Sequence, residues 1–219
     1  LYIFIETTIN IDDINSDQNS FLYEDKIEFL NSNNTQNVNL ISLVKDAIFI
    51  YPDRYLNDQQ YIYETLEIDF DGDGISEETE IRGRYLNEEE LEFTNEKPYV
   101  VYGYAAVGNG QELNIEKGSR IHFHNNSGLI VTSGGSIKAN GEFSQNQGLE
   151  NEIIFEGDRL EPFFENIPGQ WGTIWLLDGS IENEFSFCTI KNASVGIYTT
   201  GGGNNIEYKL DLSNVQIYN

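Results

Sequence analysis

Apolar and polar positions alternate over short distances through the second half of the chain. Residues 113–115, 121–123, 129–131 and 137–139 each alternate or run apolar. Between them stand Lys117 and Gly118, Asn125 and Asn126, Gly134 and Gly135, and Asn140 and Gly141. A period of two bounded by Gly and Asn predicts strands of about three or four residues. Ile115 and Val131 are 16 residues apart, as are Ile121 and Ile137. Strands this short bury nothing alone, but successive turns of a winding chain can stack into one continuous core. The pattern predicts the first coils of a parallel β-helix. The rhythm continues at 152–155, 171–176, 185–190, 195–198 and 208–212, with a loop leaving it at 159–170 and a flexible insertion at 201–205. Ile174 and Ile197 lie 23 residues apart, close to one turn of a wide helix. Three to four coils over residues 99–219 follow.

The first half reads differently. Residues 1–7, 21–30 and 38–51 alternate as strands, separated by polar stretches at 12–20 and 31–37. Three antiparallel strands suit the C-terminal part of a β-sandwich over residues 1–51; the alternative is a small sheet packed on the end of the β-helix. Residues 52–98 form an acidic connector. Within it Glu88, Glu89, Glu90 and Glu92 read as a solvated face, and Lys97-Pro98 breaks the chain before a strand at 99–104.

Composition changes the picture in three places. Tyr and Phe are thirteen each among 219 residues, which favours β structure. A formal charge of −25 repels nucleic acid and anionic membrane surfaces and attracts cations, so nucleic-acid binding is excluded. The single Cys188 allows no internal disulfide framework and no thiolate zinc cluster. The chain has no Met and begins at Leu1, and it reads as a piece cut from a longer protein. It has no apolar window of about eighteen residues that would span a membrane as a helix.

The sharpest chemical motif runs from Asp69 to Glu80 and fits D-x-D-x-D-G followed by Glu. Asp69, Asp71 and Asp73 place hard carboxylate oxygens on one side of a tight loop, and Gly74 allows the turn. The Ile75 carbonyl, Glu77 and Glu80 complete a Ca²⁺ set with a structural role. Ser76 stands where helix-flanked loops carry a buried apolar residue, and residues 66–68 look like a strand. A strand-loop-strand version, in which Glu80 need not ligate, is therefore preferred; the alternative is an acidic turn that binds nothing. His122 and His124 are expected exposed on one face, with Ile121 and Phe123 inward. With a third ligand the two histidines could hold Zn²⁺ or Cu²⁺, but exposed residues flanking a core pair are the plainer reading. Trp171 and Trp175, with Phe163 and Phe164, offer an aromatic platform for sugar rings, or else cover the core. The basic residues Lys117, Arg120, Lys138, Arg159, Lys191 and Lys209 are spread out, so no lyase-like cluster is expected and no catalytic residue is assigned.

The stretches at 98–107, 113–131, 153–159, 167–176 and 190–198 (PYVVYGYAAV, LNIEKGSRIHFHNNSGLIV, IIFEGDR, IPGQWGTIWL and IKNASVGIY) together resemble a family of Bacteroidota cell-surface lipoproteins. Residues 1–6, 24–29 and 38–49 resemble the last strands of the immunoglobulin-like region that precedes the helix in that family. The resemblance implies a right-handed parallel β-helix on the outer face of the bacterial outer membrane, held by a lipid anchor this chain lacks. It implies no activity. The acidic segment near 60–96 departs from the family's pattern. The function expected is non-enzymatic: a structural or interaction protein with a protein partner at the cell surface. The alternative is a carbohydrate-binding or polysaccharide-processing module.

Overall fold

The computed structural model describes residues 22–31, 34–43, 47–70, 74–201 and 208–218, and the chain is all-β. The expected strand at 1–7, the polar turn at 12–20 and most of the insertion at 201–205 lie outside the described residues. The first two strands, β1 (Leu22–Asn31) and β2 (Asn34–Leu43), form an antiparallel hairpin. A second hairpin joins β4 (Arg54–Asn57) to β5 (Gln60–Tyr63).

Three sheets hold the rest. The first runs in the order β6 (Thr65–Ile68), β7 (Glu77–Tyr85), β10 (Tyr104–Val107), β13 (Gly128–Val131), β16 (Ile174–Leu176) and β19 (Ile197–Thr199). The second runs β8 (Glu92–Phe93), β11 (Glu112–Ile115), β14 (Ser136–Asn140), β17 (Asn183–Ser186) and β20 (Leu210–Ser213). The third runs β3 (Ile48–Ile50), β9 (Tyr99–Val101), β12 (Arg120–Phe123), β15 (Ile153–Gly157), β18 (Cys188–Lys191) and β21 (Gln216–Tyr218). From β7 onward the chain visits the first, second and third sheets in rotation. Every pairing in these sheets is parallel except β6 with β7.

Alternation decides which side chains face in. Ala105, Leu129 and Ile174 form one column, Phe93, Ile115, Ala139 and Phe185 a second, and Tyr99, Ile121, Phe155 and Ile190 a third. All are buried and share one core. Each fully buried Leu, Ile or Phe among them contributes about 1.5–3 kcal/mol, so stacking in register is the main source of stability. At the far end the columns reach Leu212 and Ile217, which are 46% and 50% exposed.

Several expectations are revised by this register. The 16-residue spacing is not a full turn. Ile115 lies in β11 and Val131 in β13, two corners apart and in different sheets. The residues that stack, such as Leu113 on Ile137, are 24 apart, and Ile174 stacks on Ile197 as its 23-residue spacing implies. Residues 185–190 are two strands, because Phe187 turns the corner between them with φ 46°. The boundary at residue 99 also moves: β3, β7 and β8 already pair in parallel with β9, β10 and β11, so the segment 52–98 supplies part of the stack. The strand expected at 38–51 is therefore two: residues 38–43 belong to β2, antiparallel to β1 as expected, while β3 joins the third sheet in parallel. Its apolar Ile48 and Ile50 continue the column of Tyr99 and Val101.

Trp171 fixes the loop at 158–173 to the stack. Its ring lies on Phe123 with centroids 4.3 Å apart, and its indole N–H donates to the Lys191 carbonyl at 2.8 Å. Phe163, in the same loop, is 79% exposed. Trp171→Ala should therefore destabilise the protein by about 3–5 kcal/mol, while Phe163→Ala should stay within about 0.5 kcal/mol of the parent. Denaturant unfolding followed by far-UV circular dichroism checks both.

Candidate functional site

The acidic loop lies between β6 and β7, the antiparallel pair that ends the first sheet, where β7 also joins β10. This is a strand-loop-strand setting. Leu66 and Ile68 are buried with Ala106, Ile130 and Leu177, and Phe70 sits on Trp175 with ring centroids 6.0 Å apart. The loop is thus tied down at its N-terminal side by apolar contact. Asp69 Oδ2 accepts from the Gly74 N–H at 2.8 Å, closing the loop across its base. Glu77 Oε2 accepts from the Phe70 N–H at 3.4 Å. Asp71 and Asp73 lie outside the described residues. Ile75 is exposed, and Glu80 lines a separate groove. Among the described residues no group of three or more His, Cys, Asp or Glu is arranged around one point.

The two histidines do not behave alike. His124 is exposed, and its Nδ1 lies 2.7 Å from Asp158 Oδ2. His122, expected exposed, is buried, and its Nδ1 lies 3.5 Å from Glu156 Oε1. Burial pushes its pKa down, opposed by the nearby Glu156. Of the two readings of the aromatic residues, covering the core holds for Trp171, and no shared platform forms. Trp171 is in the core, Trp175 packs between Phe70 and Tyr198, and Phe163 meets Phe164 edge-on with Arg159 over the Phe164 ring.

The six basic residues of the second half are all engaged. Lys117 pairs with Glu142, Lys138 with Glu184, Arg159 with Glu161 and Lys191 with Glu156, at 2.6–2.9 Å. Arg120 donates to the carbonyls of Gly118, Ser119, Gly148, Leu149 and Glu152. Lys209 donates to those of Leu177 and Thr200. Cys188 is buried, and burial pushes its thiol up to about 12, far from a thiolate nucleophile. The acidic run is partly structural: Glu90 makes a two-pronged pair with Arg84, both contacts at 2.6 Å, while Glu88 and Glu89 are exposed.

Two surface features went unnoticed in the sequence. The first is the β4–β5 hairpin, none of whose strand residues is buried; Tyr55, Leu56 and Tyr61 are 59–63% exposed. Its strands, RYLN and QYIY, carry no alternation that would have marked them in an acidic connector. The second is a groove of about 380 Å³ lined by Glu80, Ile81 and Arg82, by Tyr102 to Tyr104, and by His124 to Asn126. Three segments far apart in sequence build it, and no motif marks any of them. The chain matches no protein-family model, no curated protein and no solved structure.

The outer face of the second sheet carries a polar ladder. Lys138 Nζ lies 2.8 Å from Glu184 Oε1, Asn140 donates to the same carboxylate, and so does the Tyr208 hydroxyl. The Lys138 bond first, then those of Tyr208 and Asn140, hold Glu184 down at about 2 from its ordinary 4.5. A carboxylate depressed by folding stabilises the folded state above its unfolded pKa, and that contribution is lost as pH falls through the folded value. The stability difference between the parent and Lys138→Met should therefore be constant above pH 4.5 and shrink as pH falls toward about 2. Melting temperatures of both proteins across that range test it.

Proposed function

We propose that this chain is a non-enzymatic interaction protein of the bacterial cell surface. Its finer fold is then a right-handed parallel β-helix over the three stacked sheets, entered from the last strands of an immunoglobulin-like region that includes the β1–β2 hairpin. Right-handedness follows from the strong preference of parallel crossovers for that hand. In this reading the chain belongs with the Bacteroidota lipoproteins it resembles, on the outer face of the outer membrane and tethered by a lipid anchor. Among the described residues no helix is long and apolar enough to cross a membrane.

The observation that carries the reading is the β4–β5 hairpin. Tyr55, Leu56, Tyr61 and Ile62 are all exposed, next to Phe49 and Tyr51, which are 46% and 58% exposed. Tyr is favoured at protein interfaces because it offers large contact area with few rotors. The engagement of all six basic residues of the second half also argues for a binding surface over catalysis. A photo-crosslinking amino acid at position 55 or 61, in the protein displayed on its native cells, should give one discrete protein adduct. The same probe at the exposed Asp178 should give none. Equal labelling at all three positions, or no adduct at any, overturns the interaction reading.

The same proposal gives the loop at 69–80 a structural Ca²⁺, held by Asp69, Asp71, Asp73, the Ile75 carbonyl and Glu77. The described part fits this partway: Asp69 and Glu77 are both turned to the backbone of their own loop, and Glu80 belongs to the groove. Bound Ca²⁺ would offset the mutual repulsion of the carboxylates and hold the β6–β7 hairpin on the sheet. Calorimetric titration of the metal-stripped protein should show binding and a rise in melting temperature, both absent in Asp71→Ala/Asp73→Ala. No heat and no thermal shift in the parent would reduce the loop to an acidic turn.

A further inference from the structure

We infer that the groove beside Tyr102 is a binding site for a neutral carbohydrate. Its lining combines what a sugar ring requires. Tyr104 offers ring surface for the apolar C–H face of a pyranose, and Tyr102, whose ring lies between those of His124 and Phe49, offers its edge and hydroxyl. Asn125 and Asn126 each offer amide donors and an acceptor, and Glu80 acceptors only, so hydroxyl groups can be met in both senses, while the Arg82 guanidinium is held over the Tyr63 ring. The volume, about 380 Å³, falls within the ~300–1,000 Å³ typical of small-ligand sites.

The groove is pre-built. Gly103, with φ 71°, passes so close to the Arg82 carbonyl that a Cβ would lie 2.7 Å from it. Its N–H donates to Ser127 Oγ at 2.8 Å, and the Gly128 N–H donates to the Gly103 carbonyl at 3.1 Å. These bonds lock the turn carrying Asn125 and Asn126 onto the neighbouring layer. Gly128 and Gly172 leave room for the Tyr104 ring, which a Cβ at either would strike. The His124 ring lies 4.6 Å from that of Tyr102, and Phe49 continues the row at 6.5 Å from Tyr102. His124 is itself held by Asp158. Walls fixed in this way spend little binding energy on ordering themselves.

Other ligand classes fit less well. The strands behind the groove, β10 and β12, are paired on both sides, so an extended peptide finds no edge to join. A net charge of −25, with Glu80 in the groove and Asp158 against His124, disfavours anionic ligands, acidic polysaccharides included.

The test is calorimetric titration with cellohexaose, laminarihexaose, maltohexaose, mannohexaose and oligogalacturonate. At least one neutral oligosaccharide should bind, with Kd in the micromolar to millimolar range. Tyr102→Leu and Asn126→Gly should each weaken it about tenfold or more. Asn126 has φ 56°, so glycine removes the amide while keeping the turn, and circular dichroism confirms the fold of both variants. Phe163→Ala, on a remote loop, should bind as the parent does. Failure of all four neutral sugars to bind, preferential binding of oligogalacturonate, or unchanged affinity in both groove variants overturns the inference. None of these outcomes bears on the hairpin's role in protein contact.

Discussion

The structure depends on stacking in register between layers. From β9 to β21 every strand has three to five residues and finds its backbone partners only in the layers before and after. No layer can exist alone, because its strands do not pair with one another. The free energy sits in the inward columns, where Leu129 meets Ala105 and Ile174, and Phe155 meets Ile121 and Ile190. A slip of one residue in any strand would turn its whole inward set outward. The polar outer ladders act on the same register: Lys138 meets Glu184 across one step and Lys191 meets Glu156 across another.

This constraint explains which parts of the fold were legible. Alternation marked the strands well, since residues 113–115, 121–123, 129–131 and 137–139 all fall within β11 to β14. Their stacking was harder to read. A 16-residue recurrence is also produced by two of three corners, and apolar columns look alike on every side. The insertions at 141–152 and 158–173 stretch later turns unequally, so no fixed period survives. The acidic segment 52–98 hid two stack-forming strands, β7 and β8, because their charged residues outnumber an inward set as small as Phe93, whereas β6 was legible at residues 66–68.

The candidate sites were less legible for a related reason. The loop at 69–80 is contiguous, so its motif was visible, and so was its setting between strands. The fates of His122 and Trp171 depend on what covers them, which alternation cannot report. Trp171 stood at the edge of a loop, where a ring can either cover the core or face solvent, and the space beside Phe123 takes it into the core. The groove joins Arg82, Tyr102 and Asn125 from three successive layers, and only the register brings them together.

A stack of this kind separates the work of holding the fold from the work of contact. Its inner columns tolerate little, because each residue packs against the layers on both sides. Its corners and outer faces carry almost none of that load, so they are free to hold exposed aromatics, amides and charges. The β4–β5 hairpin and the groove both lie on that outer surface, supported by strands whose positions the core has already set. Rigidity below and variable chemistry above let such a surface hold its side chains at fixed spacing. The large negative charge fits the same division. Spread over the outside it keeps the surface solvated, and where carboxylates face a lysine or arginine, as at Glu184, Glu156 and Glu90, it also fastens neighbouring segments to one another.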